Sequence, residues 1–205
     1  DIEKANDTYL TFRDDYYFIE YGGAFSSRLF NNARTLIRRA AEQERPNEDR
    51  LRPYTDAALP RTRQLTLAAR PFYPELEKLR LSFSLDKMRE ILGPDSPFVH
   101  QILGKRSPRA VAEALIDGSS LSDVEVRTQL WEADVDTRNQ SDDPMNQLAL
   151  AIDDQALALR KRYEDEVEAP SDLAYEKIAN ERITINSTSY NPDSTITLLV
   201  SKGAH

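Results

Sequence analysis

The side chains best suited to proton transfer or metal binding near neutral pH are histidines, and the sequence has two, His100 and His205. His205 is the last residue. His100 lies in the short apolar run Pro97-Phe98-Val99-His100-Gln101-Ile102-Leu103, with no second histidine one helical turn away. It reads as a partly buried or capping histidine. Cysteine is absent, so thiol nucleophiles, thiolate metal sites and disulfides are excluded together, and a zinc site with them. Carboxylates occur as adjacent pairs, Asp14-Asp15, Asp142-Asp143 and Asp153-Asp154. Neighbours on a helix point about 100° apart, so neither member of a pair helps the other converge on one substrate. Asp142 or Asp143 has enough to do as a helix N-cap, and the rest read as solvated surface. No Gly-x-Ser-x-Gly elbow, dinucleotide fingerprint or P-loop occurs, and Gly22-Gly23 reads as a helix stop. The residues therefore nominate no catalytic, cofactor-binding or metal-ligating position, and no cofactor.

Two groups of side chains could bind rather than react. Tyr9, Phe12, Tyr16, Tyr17, Phe18 and Tyr21 crowd the first predicted helix. They could line a groove for an extended peptide, or form core and boundary. Arg38-Arg39 and Arg160-Lys161-Arg162 lie among acidic residues and read as solvated ion pairs.

The elements that would position these groups are helical. Glycines are few (6 in 205 residues), while Ala, Leu, Glu and Arg abound. Residues 3 to 21 read as a first helix ending at Gly22-Gly23. Phe25, Leu29, Ala33, Leu36 or Ile37, and Ala40 mark an amphipathic helix running to Glu44 or Arg45 before Pro46. A loop with one helical turn around Glu48 to Arg52 follows, then a helix from Pro60 interrupted at Pro71 and Pro74. Glu75 to Leu92 restarts it, with Leu76, Leu79, Phe83 and Met88 expected inward and Gly93-Pro94 as the stop. Ser107-Pro108 and the capping-box pattern Ser122-Asp123-Val124-Glu125 each open a helix, the latter running through Trp131. Asp143-Pro144 starts the longest stripe: Met145, Leu148, Ile152, Ala156, Leu159 and Tyr163, with Asp153, Asp154, Lys161 and Glu164 facing solvent. Pro170-Ser171 begins a last helix to about Arg182.

At Ile183 the period changes. Ile183, Ile185 and the run Thr195 to Val200 predict a pair of strands around the turn Tyr190-Asn191-Pro192-Asp193. Two strands make no stable sheet alone. This ending is expected to complete a sheet outside the chain, or to pack as a small hairpin on the helices. The expected class is mainly α, an irregular helical bundle or array with a short C-terminal β-hairpin or strand pair.

Composition narrows the function classes. A net charge of -8 and a pI near 4.9 argue against a general phosphate-backbone binder, so no nucleic-acid partner is expected. No apolar run approaches a membrane span, and no membrane partner is expected. The chain opens on Asp1 without an apolar leader, and is expected to be a processed or excised piece.

Three stretches, YYFIEYGGAFSSRLFNNARTLIRRA (16 to 40), RPNEDRLRPYTDAALPRTRQLTL (45 to 67) and SDDPMNQLALAI (141 to 152), together with the ending NSTSYNPDSTITLLVSKG (186 to 203), resemble the bacterial dipeptidyl-peptidase 7/11-type family of serine exopeptidases. The resemblance spans nearly the whole chain and includes no catalytic motif. It implies a parent with a chymotrypsin-like double β-barrel carrying a His-Asp-Ser triad, capped by an inserted helical domain. Residues 1 to 182 would be the later part of that cap, and 183 to 205 the return into the barrel. The triad would lie outside this chain, as would the cap asparagine that anchors the substrate's amine, so no site residue is carried over. The resemblance further implies peptide substrates met through the parent enzyme, a β-barrel partner domain, a possible homodimer, and a periplasmic or secreted location. The residues alone leave a second reading, a stand-alone helical module that binds a protein or peptide without peptidase activity.

Overall fold

The computed structural model describes residues 2–185, with side chains through Arg182. The described residues are mainly helical, as the composition predicts. The first predicted helix is divided. α1 (Ile2–Leu10) ends at a turn, and α2 (Arg13–Asp15) continues into a widened π-helical segment, Tyr16–Glu20. Gly22, at φ 83°, ends that segment in a backbone conformation that side chains disfavour. At Gly23 a Cβ atom would come within 2.5 Å of the Tyr17 ring. The glycine pair is therefore required both as a stop and as a seat for an aromatic.

α3 (Arg28–Gln43) opens on Ser27, whose hydroxyl accepts from Leu29 N–H. Two 3₁₀ turns, Asn47–Asp49 and Arg52–Tyr54, lead into α4 (Leu59–Leu67). The proline-rich break precedes α5 (Pro74–Leu92), which ends at Gly93. After α6 (Pro97–Leu103) comes α7 (Pro108–Gly118), capped by Ser107 as expected. The cap of α8 (Val124–Glu132) is Asp123 rather than Ser122, because the aspartate carboxylate accepts from Glu125 N–H. α9 (Val135–Asn139) is capped by Asp134, and α10 (Pro144–Tyr163) by Asp143.

Pro170 does not start a new helix. α10 passes through a second π-helical segment, Glu164–Glu168, directly into α11 (Ala169–Ile185). A proline lacks the N–H of the regular ladder and crowds the carbonyl four residues back. The widened turn just before Pro170 displaces that ladder and lets the helix continue. Ile183 and Ile185 fall in α11 rather than in a strand, because a running helix already satisfies their backbone. The rest of the expected hairpin, residues 186 to 205, lies outside the described residues.

α10 is the centre of the packing, against α3 and the Tyr16–Glu20 segment, with α7 and α9 also touching it. α5 pairs chiefly with α7, while α1 lies on the second π segment and α11. One core joins Phe25, Leu29, Phe30 and Leu36 to Leu81, Leu85 and Met88, and to Met145, Ile152 and Ala156.

α5 is oriented differently from the apolar pattern. Met88 is buried, but Leu76, Leu79 and Phe83 are 50%, 67% and 63% exposed. The inward face is Glu77, Leu81, Ser84, Leu85 and Met88. Polar bonds set this rotation. Glu77 accepts from the Ser27 hydroxyl at 2.9 Å and from Arg28 N–H at 2.8 Å, at the positive end of α3. Ser84 accepts from Ser26 N–H at 3.1 Å and donates to the Ala24 carbonyl at 2.9 Å. Burying α5 by its more apolar stripe would strand these groups.

The two faces make opposite predictions in urea denaturation. Leu85→Ala, at a fully enclosed position, is expected to cost about 2–5 kcal/mol. Leu79→Ala is expected to change stability by less than about 0.5 kcal/mol. The reverse order would mean that α5 packs by its other face.

Candidate functional site

The residues that the sequence offered for chemistry are dispersed. His100 is exposed on the last turn of α6, neither buried nor capping, because Phe98, Val99, Ile102 and Leu103 take the inward positions of that short helix. His205 lies outside the described residues. Asp143 is a true N-cap: it accepts from Met145 N–H and also from Ser120 N–H and the Ser119 and Ser120 hydroxyls. Asp15, Asp142 and Asp154 are exposed, and Asp14 pairs with Arg13 at the surface. Among the described residues no group of three His, Asp or Glu side chains is placed to hold a metal ion.

The structure instead gathers charge around Glu20, which the sequence reading passed over. The π-helical turn carries Phe18, Ile19 and Glu20 inward together, and Glu20 is 2% exposed. Three arginines from two helices converge on it. From α3, Arg34 donates to its carboxylate at 2.6 Å and Arg38 at 2.7 Å. From α10, Arg160 donates to the other oxygen at 2.6 Å. Arg34 also donates to the Glu20 backbone carbonyl. Arg38 in turn donates to Asp153 at 2.6 Å, so that aspartate is not in solvent as its stripe position predicted. Neither Arg38 nor Arg160 is the solvated surface charge its surroundings in the sequence suggested. Both sit at helix positions that α3 and α10 turn towards the buried carboxylate.

Burial pushes the Glu20 carboxyl up, but the hydrogen bond from Arg38 and the charges of Arg38, Arg34 and Arg160 outweigh it, so the carboxyl titrates below the ordinary value of 4.5. For Arg38 burial is likewise outweighed, by Glu20 and Asp153, and its guanidinium is held more firmly protonated than usual. Arg34 is lowered, first by burial and then by Arg38 beside it. With each carboxylate oxygen held by arginine, Glu20 is a fixed anion and not a proton-transfer group.

The cluster forms the floor of an open recess of about 360 Å³, lined by Tyr16, Tyr21, Asn31, Arg34, Thr35, Arg38, Tyr54 and Arg160 around Glu20. The aromatics of the first segment divide between two duties. Phe12 and Phe18 are core, and Tyr9 and Tyr16 pack on Tyr163, the latter stacked at 4.7 Å. Tyr17 and Tyr21 stack on each other at the surface.

Two further arginines are buried without a carboxylate. Arg127, 4% exposed, donates to the carbonyls of Thr66 and Ala68 at the end of α4 and of Leu121 and Ser122. Arg138, 0% exposed, donates to the carbonyls of Leu130, Trp131 and Ala133 at the end of α8. Burial, and then the nearby Arg39, push Arg138 down to about 10. Both cations lie where helix termini are negative and leave carbonyls unpaired.

Compared with known families, the chain matches peptidase S46 over residues 1–204. The chain belongs to the peptidase S46 family, that of dipeptidyl-peptidases 7 and 11. No curated protein matches it. The stretches that carried the resemblance in this S46 chain coincide with the cluster: 16 to 40 spans the widened turn, Glu20, Arg34 and Arg38, and 141 to 152 opens the helix that delivers Asp153 and Arg160.

Glu20→Gln keeps the shape but leaves three arginines facing a neutral amide. Uncompensated buried charge of this kind costs about 3–5 kcal/mol, and the variant is expected to lose stability of that order at pH 7. Because the folded-state pKa of Glu20 is depressed, its contribution is fully present above the unfolded value near 4.5 and is lost as pH falls through the folded value. Wild-type and variant stabilities, measured by urea denaturation, are therefore expected to converge in acid. A constant gap down to strongly acid pH would contradict the assignment.

Proposed function

We propose that this chain is the helical cap of a serine dipeptidyl-peptidase that removes dipeptides from peptide N-termini, and that it performs no catalysis itself. The family match supports a peptidase-related role, and one observation carries the finer reading. Nearly the whole chain matches a peptidase family, yet its described residues are helices with an exposed, solitary His100. Ser-His-Asp catalysis needs a nucleophile, a base and an orienting acid within hydrogen-bond reach. His100 has no side-chain hydrogen bond to a serine or carboxylate among the described residues. The resemblance assigns the triad to a β-barrel domain outside residues 1 to 182, with residues 183 to 205 leading towards it.

The work of such a cap is steric. Covering the cleft admits a peptide by its N-terminal end and shields the acyl-transfer site from water. A charge-locked helical body suits this role, since a lid must move as a unit. Its partners would be the barrel domain, the peptide in the cleft and, in the assembled enzyme, a second copy. The location proposed is periplasmic or secreted, in keeping with the family. Among the described residues no helix is long and apolar enough to cross a membrane.

The purified chain is expected to release no dipeptide from fluorogenic dipeptidyl substrates, and the parent enzyme carrying this segment is expected to do so. Turnover by the chain alone, retained through chromatography, would show that it contains its own active site.

A further inference from the structure

The recess above Glu20 is a built site whose own carboxylate is already used. Glu20 is enclosed and held by Arg34, Arg38 and Arg160, so it presents almost no accessible oxygen. The rest of the lining offers donors: the guanidinium groups of Arg34, Arg38 and Arg160, the hydroxyls of Tyr16, Tyr21, Thr35 and Tyr54, and the Asn31 amide. Glu164 lies 3.7 Å from Arg160 but does not line the recess. Tyr54 is the most enclosed of these tyrosines. The residue is 6% exposed and belongs to the lining of the recess. Burial pushes its hydroxyl up to about 12, which keeps it a proton donor at neutral pH.

We propose that this recess binds a carboxylate, with Arg34 and Arg160 supplying charge and the Tyr54 hydroxyl and Asn31 supplying direction. Arginine favours a carboxylate for its matching planar geometry. The tyrosine rings wall the space that the ligand's carbon skeleton would fill, and 360 Å³ suits a dicarboxylate or one acidic residue of a peptide. The carboxylate could come from an acidic side chain or from a peptide C-terminus. Occupancy is independent of the cap role, so the two readings fail separately.

Isothermal titration of the 205-residue chain tests it. Glutarate is expected to bind saturably at one site, and glutaramide, its neutral counterpart, not to bind. Tyr54→Phe and the exposed Asn31→Ala, each checked for an unchanged melting temperature, are expected to weaken glutarate by about three- to tenfold. Should Tyr54→Phe lower the melting temperature, Asn31→Ala carries the comparison. Two peptides then separate the sources: one blocked at both ends with an internal glutamate, and one of neutral residues with a free C-terminus. Binding by either supports the site. Equal binding of glutarate and glutaramide, no binding of glutarate, or full glutarate affinity in folded variants would overturn it.

Discussion

A single enclosed carboxylate sets the relation between the first segment of the chain and the helices α3 and α10. Glu20 could not remain ionised at 2% exposure without compensation, since removing a charge from water costs several kcal/mol. The compensation comes from Arg34 and Arg38 on α3 and Arg160 on α10, so the charge is stable only when all three elements are in register. The widened turn at Tyr16–Glu20 is the local device that makes this possible. It places Glu20 inward beside Phe18 and Ile19. Asp153 extends the network along α10 and offsets part of the surplus positive charge.

The same economy of charge recurs at helix ends. Arg127 and Arg138 are buried among carbonyls that α4 and α8 leave unpaired, and these take the place of an anion. Among the described residues this overall acidic chain buries three arginines, Arg38, Arg127 and Arg138, beside three glutamates, Glu20, Glu42 and Glu77. Arg39 lies over the Trp131 ring at 5.2 Å, adding a cation–π contact to the group around α8. Such interiors specify geometry more sharply than apolar packing does, because each guanidinium has directional partners to satisfy.

Periodicity and punctuation made most of the helices legible: the caps Ser107 and Asp143, the stop at Gly22-Gly23 and the stripe of α10 stand where the sequence puts them. What failed had a common cause, polar groups chosen for burial by tertiary partners. α5 turned its Leu76, Leu79 and Phe83 outward because Glu77 and Ser84 had bonds to make with the start of α3. Arg38 and Arg160 read as ordinary helix-surface charges and Glu20 as nothing in particular, since nothing in the residues' own types distinguishes them from Glu75 or Arg109. One signal was available: Glu20 directly follows the apolar run Phe18-Ile19 and precedes the glycine stop, an unusual place for a solvated charge. The continuous passage of α10 into α11 was hidden for the opposite reason, because Pro170 is a strong local stop that the π-helical turn accommodates.

On the proposal that this S46 chain is a cap whose chemistry lies in another domain, its helical body must hold its shape. On this account rigidity comes from the Glu20 network, which makes its coupling the decisive quantity. A double-mutant cycle between Glu20→Gln and Arg160→Gln, read by urea denaturation at low salt, measures it directly. The account predicts that the two substitutions are strongly non-additive, with a coupling of about 1–3 kcal/mol across residues 140 positions apart. Additivity to within about 0.5 kcal/mol would contradict it, leaving Glu20 and Arg160 as neighbours that do not hold the helices together.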